Sequence, residues 1–202
     1  MPEVYEGTKF ITKYNNNKLS DELKDSDNFK KLIYWCNRFS EKKFANDGYS
    51  GNLSYRDSRT KNIIITKTHF NTDSFTDDDF VEVIGIDKQN NEITVNGSYE
   101  PSSEIHMHNE LYEYRGDIQA VFHGHSDVML EGSKLLGWPT TKEEMDYGTQ
   151  EVGKEVAKTI GYNYIGIINN HGFVVTGQMI DLAGRSTEKY YEEILNRLNP
   201  DN

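Results

Sequence analysis

Two histidines with one residue between them, His123 and His125, lie in an apolar segment whose composition is typical of a strand. Alternate side chains of a strand share a face and lie about 7 Å apart along the backbone, so both imidazoles can reach one ion. Gly124 between them places no side chain on the opposite face. The spacing suits chelation of a divalent metal, although a bare pair of this kind also occurs among ordinary core and surface histidines.

A third ligand is available from His171. This residue follows the apolar strand at 165–168 and precedes Gly172, which lets the chain turn so that the ring faces a cleft at the end of the sheet. Three neutral imidazoles leave one coordination position open, as in catalytic rather than structural zinc sites. We therefore predict a zinc ion, or a similar divalent metal, on His123, His125 and His171.

The remaining histidines give no second metal site. His106 and His108 fall in a predicted helix, where a two-residue step turns the chain by about 200°, so they lie on opposite sides and cannot share an ion. His69 has no partner nearby in the sequence, and we interpret it as an ordinary loop histidine.

Two short segments offer groups that can bind an anion. The turn at 49–52 ends in Gly51 and Asn52 and presents backbone amides and polar side chains, although such turns are common. The segment at 101–104 opens a helix, where the hydroxyls of Ser102 and Ser103 and free backbone amides can hold a phosphate. The alternative for this segment is a plain helix cap, with Glu104 complementing the helix dipole from the first turn.

Apolar periodicity predicts the elements that position these groups. Asp27 is predicted to cap a helix that ends near residues 47–48, and one helical region runs through Met129 and Leu135. The other predicted elements are strands at 53–55, 62–66, 80–87, 92–95, 118–125, 164–169 and 173–176, and helices at 103–114, 142–160 and 180–198. Because the strands form clusters without regular strand–helix alternation, we expect an α/β fold with a mainly antiparallel central sheet flanked by helices.

Length and composition bound the class of protein. The chain has 202 residues, enough for one domain, which we place at 27–202 after a polar, loosely docked arm at 1–26. A net charge of −11 argues against a nucleic-acid surface or an anionic membrane face and favours a small-molecule partner. The single cysteine, Cys36, falls in a helical apolar pattern, which indicates a buried thiol. With neither a signal segment nor an apolar run of about 20 residues, we expect a cytoplasmic protein.

The order of these motifs along the chain resembles the class II aldolase/adducin family. The resemblance covers residues 29–198 and rests on Gly51-Asn52-Leu53-Ser54, Pro101-Ser102-Ser103-Glu104 with His108 and Tyr112, Arg115-Gly116-Asp117, the segment 120–125, Asp146-Tyr147-Gly148-Thr149 and Asn170-His171-Gly172. It implies a three-layer α/β/α fold and a homotetramer of four-fold symmetry with active sites between subunits. It also implies cleavage of a ketose 1-phosphate.

The resemblance assigns a role to each motif. Zinc on the three histidines holds the substrate's carbonyl and adjacent hydroxyl oxygens and stabilises the enediolate left by carbon–carbon cleavage, as a Lewis acid does. Glu104 carries the proton to or from the enediolate carbon. The residues matched to phosphate contacts are Gly51, Asn52, Ser102 and Ser103.

Two segments depart from the family pattern. The loop Thr66-Lys67-Thr68-His69 lacks the glycine whose amide approaches the phosphate in relatives, so that Lys67 either replaces that amide with a charge or is simply solvated. Only residues 199–202 follow the last predicted helix, so the C-terminal tail with a tyrosine acid is not matched. Tyr147 is a candidate for that acid, whereas Tyr190 and Tyr191 lie inside the helix and are expected to pack.

Other activities share this scaffold. The chain also resembles pentulose-phosphate 4-epimerases, a dehydratase of methionine salvage and decarboxylases, but Glu104 favours the aldolase branch because the epimerases typically carry Asp there. A non-catalytic adducin-like module is a further alternative. Such modules lack the metal histidines, so His123, His125 and His171 favour an enzyme.

Overall fold

The computed structural model describes residues 7–15, 17–44, 51–69 and 74–200. Its strands are β1 (Ile11–Tyr14), β2 (Gly51–Arg56), β3 (Ile63–Thr66), β4 (Phe80–Asp87), β5 (Glu92–Asn96), β6 (Ala120–Gly124), β7 (Ile165–Ile168) and β8 (Gly172–Gly177). They form one eight-stranded sheet in the order β1-β5-β4-β3-β2-β6-β8-β7. The β1–β5 pair is parallel and each other neighbouring pair is antiparallel, which confirms the predicted mainly antiparallel sheet.

Helices cover both faces of this sheet. They are α1 (Asp21–Asp25), α2 (Asp27–Lys42), α3 (Ile105–Tyr114), α4 (Asp127–Leu130), α5 (Gly132–Leu136), α6 (Gln150–Ile160) and α7 (Ile180–Leu198). Helix α3 packs with α6, and α2 packs with α7. The fold is therefore the expected three-layer α/β/α arrangement.

Alternation along the strands divides the buried residues into two cores. Phe122 belongs to the core under α2 and α7, whereas its neighbour Val121 belongs to the core under α3 and α6. Likewise Leu53 and Tyr55 of β2 face the first core. The intervening Asn52 and Ser54 must face α3, because successive strand residues point to opposite faces.

Several predicted boundaries differ from the structure. Helix α6 begins at Gln150, not near 142, because Thr149 accepts a hydrogen bond from the Val152 amide and Gly148 has a left-handed φ of 73° that a continuous helix excludes. Ser26, not Asp27, caps α2, since its hydroxyl accepts from the Phe29 amide. The predicted end of that helix at 47–48 and residues 49–50 of the predicted anion-binding turn lie outside the described residues.

The N-terminal arm is more closely attached than expected. Ile11–Tyr14 pairs in parallel with β5, and Phe10 packs edge-on against His106. The arm thus supplies an edge strand, because unpaired backbone groups of β5 are satisfied by it. In the part of the chain described, no helix combines the length and the apolar character needed to cross a membrane.

Candidate metal centre

Four side chains from distant parts of the chain converge at one end of the sheet. We call Glu104, His123, His125 and His171 the histidine–glutamate cluster, in which one ligand atom from each residue lies within 4.8 Å of all the others. The Nε2 atoms of His123 and His125 are 2.8 Å apart. The structure therefore brings the three predicted metal histidines together.

Strand β6 positions two of the ligands, and small residues make room for them. A Cβ on Gly124 would lie 2.6 Å from the Phe44 carbonyl oxygen and 2.8 Å from the Phe173 ring. A Cβ on Gly172 would lie 2.5 Å from the Gly124 oxygen and 2.9 Å from the His123 ring. Each glycine is thus required by a close approach, as the space around the two histidines is already filled.

His171 follows a tight turn between β7 and β8. The residue of this turn with a left-handed φ, 55°, is Asn170, so the turn does not depend on a special conformation of Gly172, the residue that we expected to let the chain turn. Asparagine tolerates this conformation better than most side chains. The turn is anchored where the Asn169 amide donates to the Thr141 hydroxyl at 2.9 Å, which fixes the residue that carries the third imidazole.

Glu104 lies beside the position that the three histidines leave open. Its carboxylate lies 3.0 Å from His171 Nε2 through Oε1 and 3.0 Å from His123 Nε2 through Oε2. It is the N-cap residue of α3, one position before the helix, and its side chain makes no cap hydrogen bond. The alternative of a plain cap therefore does not describe this side chain.

Glu104 carries a negative charge in this setting. Burial by itself raises the pKa of this carboxyl, but His123 and His171 outweigh burial and hold the pKa well below its ordinary value. An ionised carboxylate only accepts hydrogen bonds, so the cluster contains one anionic oxygen donor and three imidazoles.

The chemistry of this donor set fits a divalent metal. His123 Nδ1 donates to the Phe173 carbonyl at 2.8 Å, so in the neutral ring the Nε2 atom presents a lone pair toward His125 and Glu104. Lone pairs this close repel one another unless positive charge lies among them, either as extra protons or as one cation. Three imidazole nitrogens are ligands that zinc takes, so His123, His125 and His171 can hold it, with the Glu104 carboxylate beside the position that they leave for a substrate oxygen.

The residues predicted to contact phosphate border the cluster. Gly51 pairs with Gly124 and Asn52 pairs with His123 across β2 and β6. Asn52 Nδ2 donates to Glu104 Oε2 at 2.7 Å. Ser102 and Ser103, both nearly buried, immediately precede Glu104, and the Ser102 hydroxyl accepts from the Glu104 amide.

Lys67 in the altered loop is not a solvated residue. Its ammonium lies 2.9 Å from Asp79 Oδ1 and 4.2 Å from the centre of the Tyr99 ring. The Lys67 amide donates to the Asp79 carbonyl, and the Ser102 amide donates to the Thr66 carbonyl. The lysine charge is therefore paired with Asp79, which weakens the interpretation that it replaces a phosphate-binding amide.

Most other predicted side chains have structural partners. The Tyr147 hydroxyl donates to the Gly7 carbonyl, so this candidate acid contacts the N-terminal arm. Tyr190 packs on Trp138 and Tyr191 on Phe44, as expected. Cys36 is buried, and burial raises the pKa of its thiol well above the ordinary value, which makes it inert.

Sequence analysis gave no role to the residues behind Glu104, although His108, Tyr112 and Ser54 belong to the motifs that carry the family resemblance. His108 Nε2 lies 2.5 Å from Asn52 Oδ1, and Ser54 lies between His108 and Tyr112. The available signal was a four-residue spacing of Glu104, His108 and Tyr112, which places them on one helix face. As predicted, His106 points away from His108 and bonds Asn91 instead.

A three-layer α/β/α fold with three histidines and a glutamate at the end of a mainly antiparallel sheet defines a class II aldolase-like protein. The chain belongs to the class II aldolase and adducin N-terminal domain family, whose model matches residues 30–193.

Individual relatives agree with this assignment. The L-fuculose phosphate aldolase of Methanococcus maripaludis is 32% identical over 171 residues, covering 78% of this chain and 88% of that protein. A solved L-fuculose 1-phosphate aldolase superposes with a TM-score of 0.69 at 22% identity, covering 92% of this chain and 90% of the other. The sugar-phosphate aldolase of Thermotoga maritima gives a TM-score of 0.68 at 16% identity, covering 86% and 95%. These two structures support the fold alone.

Proposed function

We propose that this protein is a zinc-dependent aldehyde-lyase that cleaves a small ketose 1-phosphate. The observation that carries the proposal is the convergence of Glu104 with His123, His125 and His171 in a partly buried site. The Methanococcus relative, which is named an L-fuculose phosphate aldolase, supports the substrate class.

A cation in the cluster supplies Lewis acidity toward the oxygens of a ketose. The protein's own contribution begins with orientation. The Phe173 carbonyl fixes the His123 ring through Nδ1, so that its Nε2 atom faces the cluster. Glu104 and His123 are buried, which strengthens the electrostatic interactions between them, whereas the half-buried His125 and His171 leave an approach for substrate.

Glu104 is the proton carrier in this proposal. In the cleavage reaction the bond between C3 and C4 breaks, the C4 hydroxyl loses its proton to give an aldehyde, and C3 of the other product gains a proton. Glu104 lies within hydrogen-bond distance of two ligand histidines, so a substrate held at the cluster brings its reacting carbon near this carboxylate. The group that takes the C4 hydroxyl proton stays unassigned, with Tyr147 as a candidate.

The phosphate is proposed to contact Gly51, Asn52, Ser102 and Ser103. Support comes from their position beside the cluster, where β2 and the start of α3 meet. The hydroxyls and backbone amides before a helix are suited to an anion. The proposed partner subunits, in a homotetramer, complete the site by resemblance to the family.

The competing activities resemble aldol cleavage in passing through an enediolate and differ in substrate and product. An epimerase would act on a pentulose 5-phosphate, and a dehydratase or decarboxylase would act on other phosphorylated substrates. Glu104 in place of the Asp typical of epimerases favours aldol cleavage. A non-catalytic adducin-like role is disfavoured because the ligand set for a metal is present.

The decisive experiment offers zinc-loaded protein ketose 1-phosphates, pentulose 5-phosphates and phosphorylated 3-keto acids. We expect dihydroxyacetone phosphate and an aldehyde from a ketose 1-phosphate. The Glu104→Gln variant keeps the side-chain shape and should remain folded and metal-loaded, yet lose roughly 10²–10⁴-fold in turnover and fail to exchange the product's C3 hydrogen with solvent deuterium. If the protein consumes a pentulose 5-phosphate or a phosphorylated 3-keto acid and no ketose 1-phosphate, the proposed aldol cleavage is wrong and the corresponding alternative activity takes its place.

A further inference from the structure

Two rows of polar side chains, one on β2 and one on the α3 side, face each other and begin at Glu104. Asn52 and Ser54 are two positions apart on the strand, a rise of about 6.8 Å, whereas Glu104, His108 and Tyr112 follow at four-residue steps of about 6 Å on the helix side. Because the spacing of side chains along the strand nearly equals the spacing along the helix, the two rows interleave. Each strand residue bonds two members of the helix row.

The interleaved residues form a continuous hydrogen-bonded chain. Tyr112 Oη lies 2.8 Å from Ser54 Oγ, which lies 2.6 Å from His108 Nδ1. His108 Nε2 lies 2.5 Å from Asn52 Oδ1, and Asn52 Nδ2 lies 2.7 Å from Glu104 Oε2. All five side chains are 5% exposed or less, so a donor or acceptor left unpaired here would be costly.

The two ends of the Asn52 amide set the direction of the bonds in this chain, because Nδ2 lies 2.7 Å from Glu104 Oε2 and Oδ1 lies 2.5 Å from His108 Nε2. A carboxylate accepts only, so Asn52 must present its NH2 group to it and its carbonyl oxygen to His108. His108 then carries its proton on Nε2 and accepts at Nδ1 from the Ser54 hydroxyl. Ser54 in turn accepts from the Tyr112 hydroxyl. Burial and the nearby His123 lower the pKa of His108 to about 3, which agrees with a neutral ring that has a single N–H.

We propose that His108, as the neutral Nε2–H tautomer whose Nδ1 accepts from Ser54, is a positioning residue that holds the Asn52 amide with its NH2 group toward Glu104. With the amide reversed, its oxygen would lie against the carboxylate and repel it. An NH2 group has two hydrogens and Glu104 uses one, which leaves the other for a substrate oxygen. His108 therefore orients both the proton carrier and a residue proposed to contact phosphate.

The role of His108 rests on the proposed function only where it concerns turnover. The tautomer itself is a property of the protein without substrate. It can be read from long-range proton–nitrogen correlations of the ¹⁵N-histidine-labelled, zinc-loaded protein, with His108 assigned by its absence in His108→Gln. We expect the Nε2–H pattern, unchanged from about pH 8 to pH 5.5 because the ring stays neutral. An Nδ1–H tautomer or an imidazolium in that range overturns the proposal.

Variants then test the consequence for catalysis. His108→Leu removes the donor to Asn52 and should lower kcat roughly tenfold to hundredfold, the scale of a small misplacement of a reacting group, with zinc occupancy retained. His108→Gln can place an amide N–H near the former Nε2 and should recover most of the lost kcat. A merely structural role would give similar loss in both variants.

The matched control is His106→Gln, two positions away on the same helix. His106 is equally buried but bonds Asn91 on the other side, so this variant should keep its kcat.

Retention of kcat within twofold in folded, zinc-loaded His108→Leu would refute the positioning role, as would an equal loss in the control. If His108→Leu does not fold, the tautomer measurement on the wild type still tests the positioning role. The same measurement on Ser54→Ala adds a second test, because loss of the hydroxyl that donates to Nδ1 should release the fixed tautomer. If no ketose 1-phosphate is cleaved by the wild type, the proposed reaction fails while the tautomer result stands on its own.

Discussion

Replacement of Gly172 by alanine should damage the metal centre more than the fold. The added Cβ would lie 2.5 Å from the Gly124 carbonyl oxygen, 2.9 Å from His123 Cε1 and 3.0 Å from His125 Cδ2. An ordinary contact begins at 3.4 Å, so relief of the shortest one needs a movement of about 0.9 Å (3.4 minus 2.5). Strand β6 is hydrogen-bonded on both sides, by β2 and by β8, so its backbone can yield little. The two imidazole rings must also move, by about 0.5 Å for His123 and 0.4 Å for His125 (3.4 minus 2.9 and 3.4 minus 3.0).

Metal sites do not tolerate such shifts. Ligand distances hold to within about 0.2 Å, and displacement of groups that orient ligands typically costs 10–100-fold in metal affinity. We therefore expect Gly172→Ala to bind zinc about 10–100-fold more weakly, while overpacking lowers the free energy of unfolding by about 1–3 kcal/mol. Competition with a chromogenic chelator measures the first quantity and denaturant unfolding of the metal-free protein measures the second.

Gly116→Ala is the matched control for this change. A Cβ there meets no atom within 4 Å, so zinc affinity and stability should both stay close to those of the wild type. A folded Gly172→Ala protein that binds zinc as tightly as the wild type would show that the rings do not depend on this close approach, and the reasoning would be wrong.

Three further predictions follow from the site. His171→Ala should lose most of its zinc by elemental analysis, because a three-histidine site tolerates no missing ligand, whereas full occupancy would contradict the proposed ligand set. The pKa of His108 is about 3 in the folded protein and ordinarily 6.5. As the pH falls, the His108 ring therefore binds a proton in the unfolded chain before it does so in the folded one, and the free energy of unfolding declines below about pH 6.5. Between pH 6.5 and 5 the metal-free wild type should lose about 2 kcal/mol more than His108→Gln, and parallel unfolding curves would oppose this. Light scattering at micromolar concentration should report a homotetramer, and a monomer alone would remove the proposed inter-subunit sites.

The sequence predicted which histidines come together because strand geometry is local. His123 and His125 share a face through the two-residue repeat, and that repeat holds whatever the strand packs against. The direct approach of Glu104 was not predictable in the same way. It depends on the pairing of β2 with β6 and on the packing of α3 against β2, and neither follows from the spacing of residues along the chain.

Errors at the ends of elements have local causes that compete with periodicity. The apolar pattern before Gln150 favoured a longer helix, yet the positive φ of Gly148 and the hydroxyl of Thr149 begin the helix later. The edge strand at Ile11–Tyr14 was missed because an exposed strand lacks the apolar alternation of a half-buried one. The side chains of this strand are mostly exposed, so backbone pairing with the sheet edge, and not side-chain patterning, determines that the segment is a strand.

The ligands of the histidine–glutamate cluster lie far apart along the chain, at 104, 123, 125 and 171. An unfolded polypeptide cannot gather them without closing long loops, so an ion in this set binds the native state and has little affinity for the denatured one. Occupancy then adds to the unfolding free energy by mass action, by about 4 kcal/mol at a free ion concentration one thousand times the Kd. If zinc is that ion, its concentration would determine the fraction of unfolded chain that is open to proteolysis. Scarcity of the metal would then lower the abundance of the protein as well as its activity.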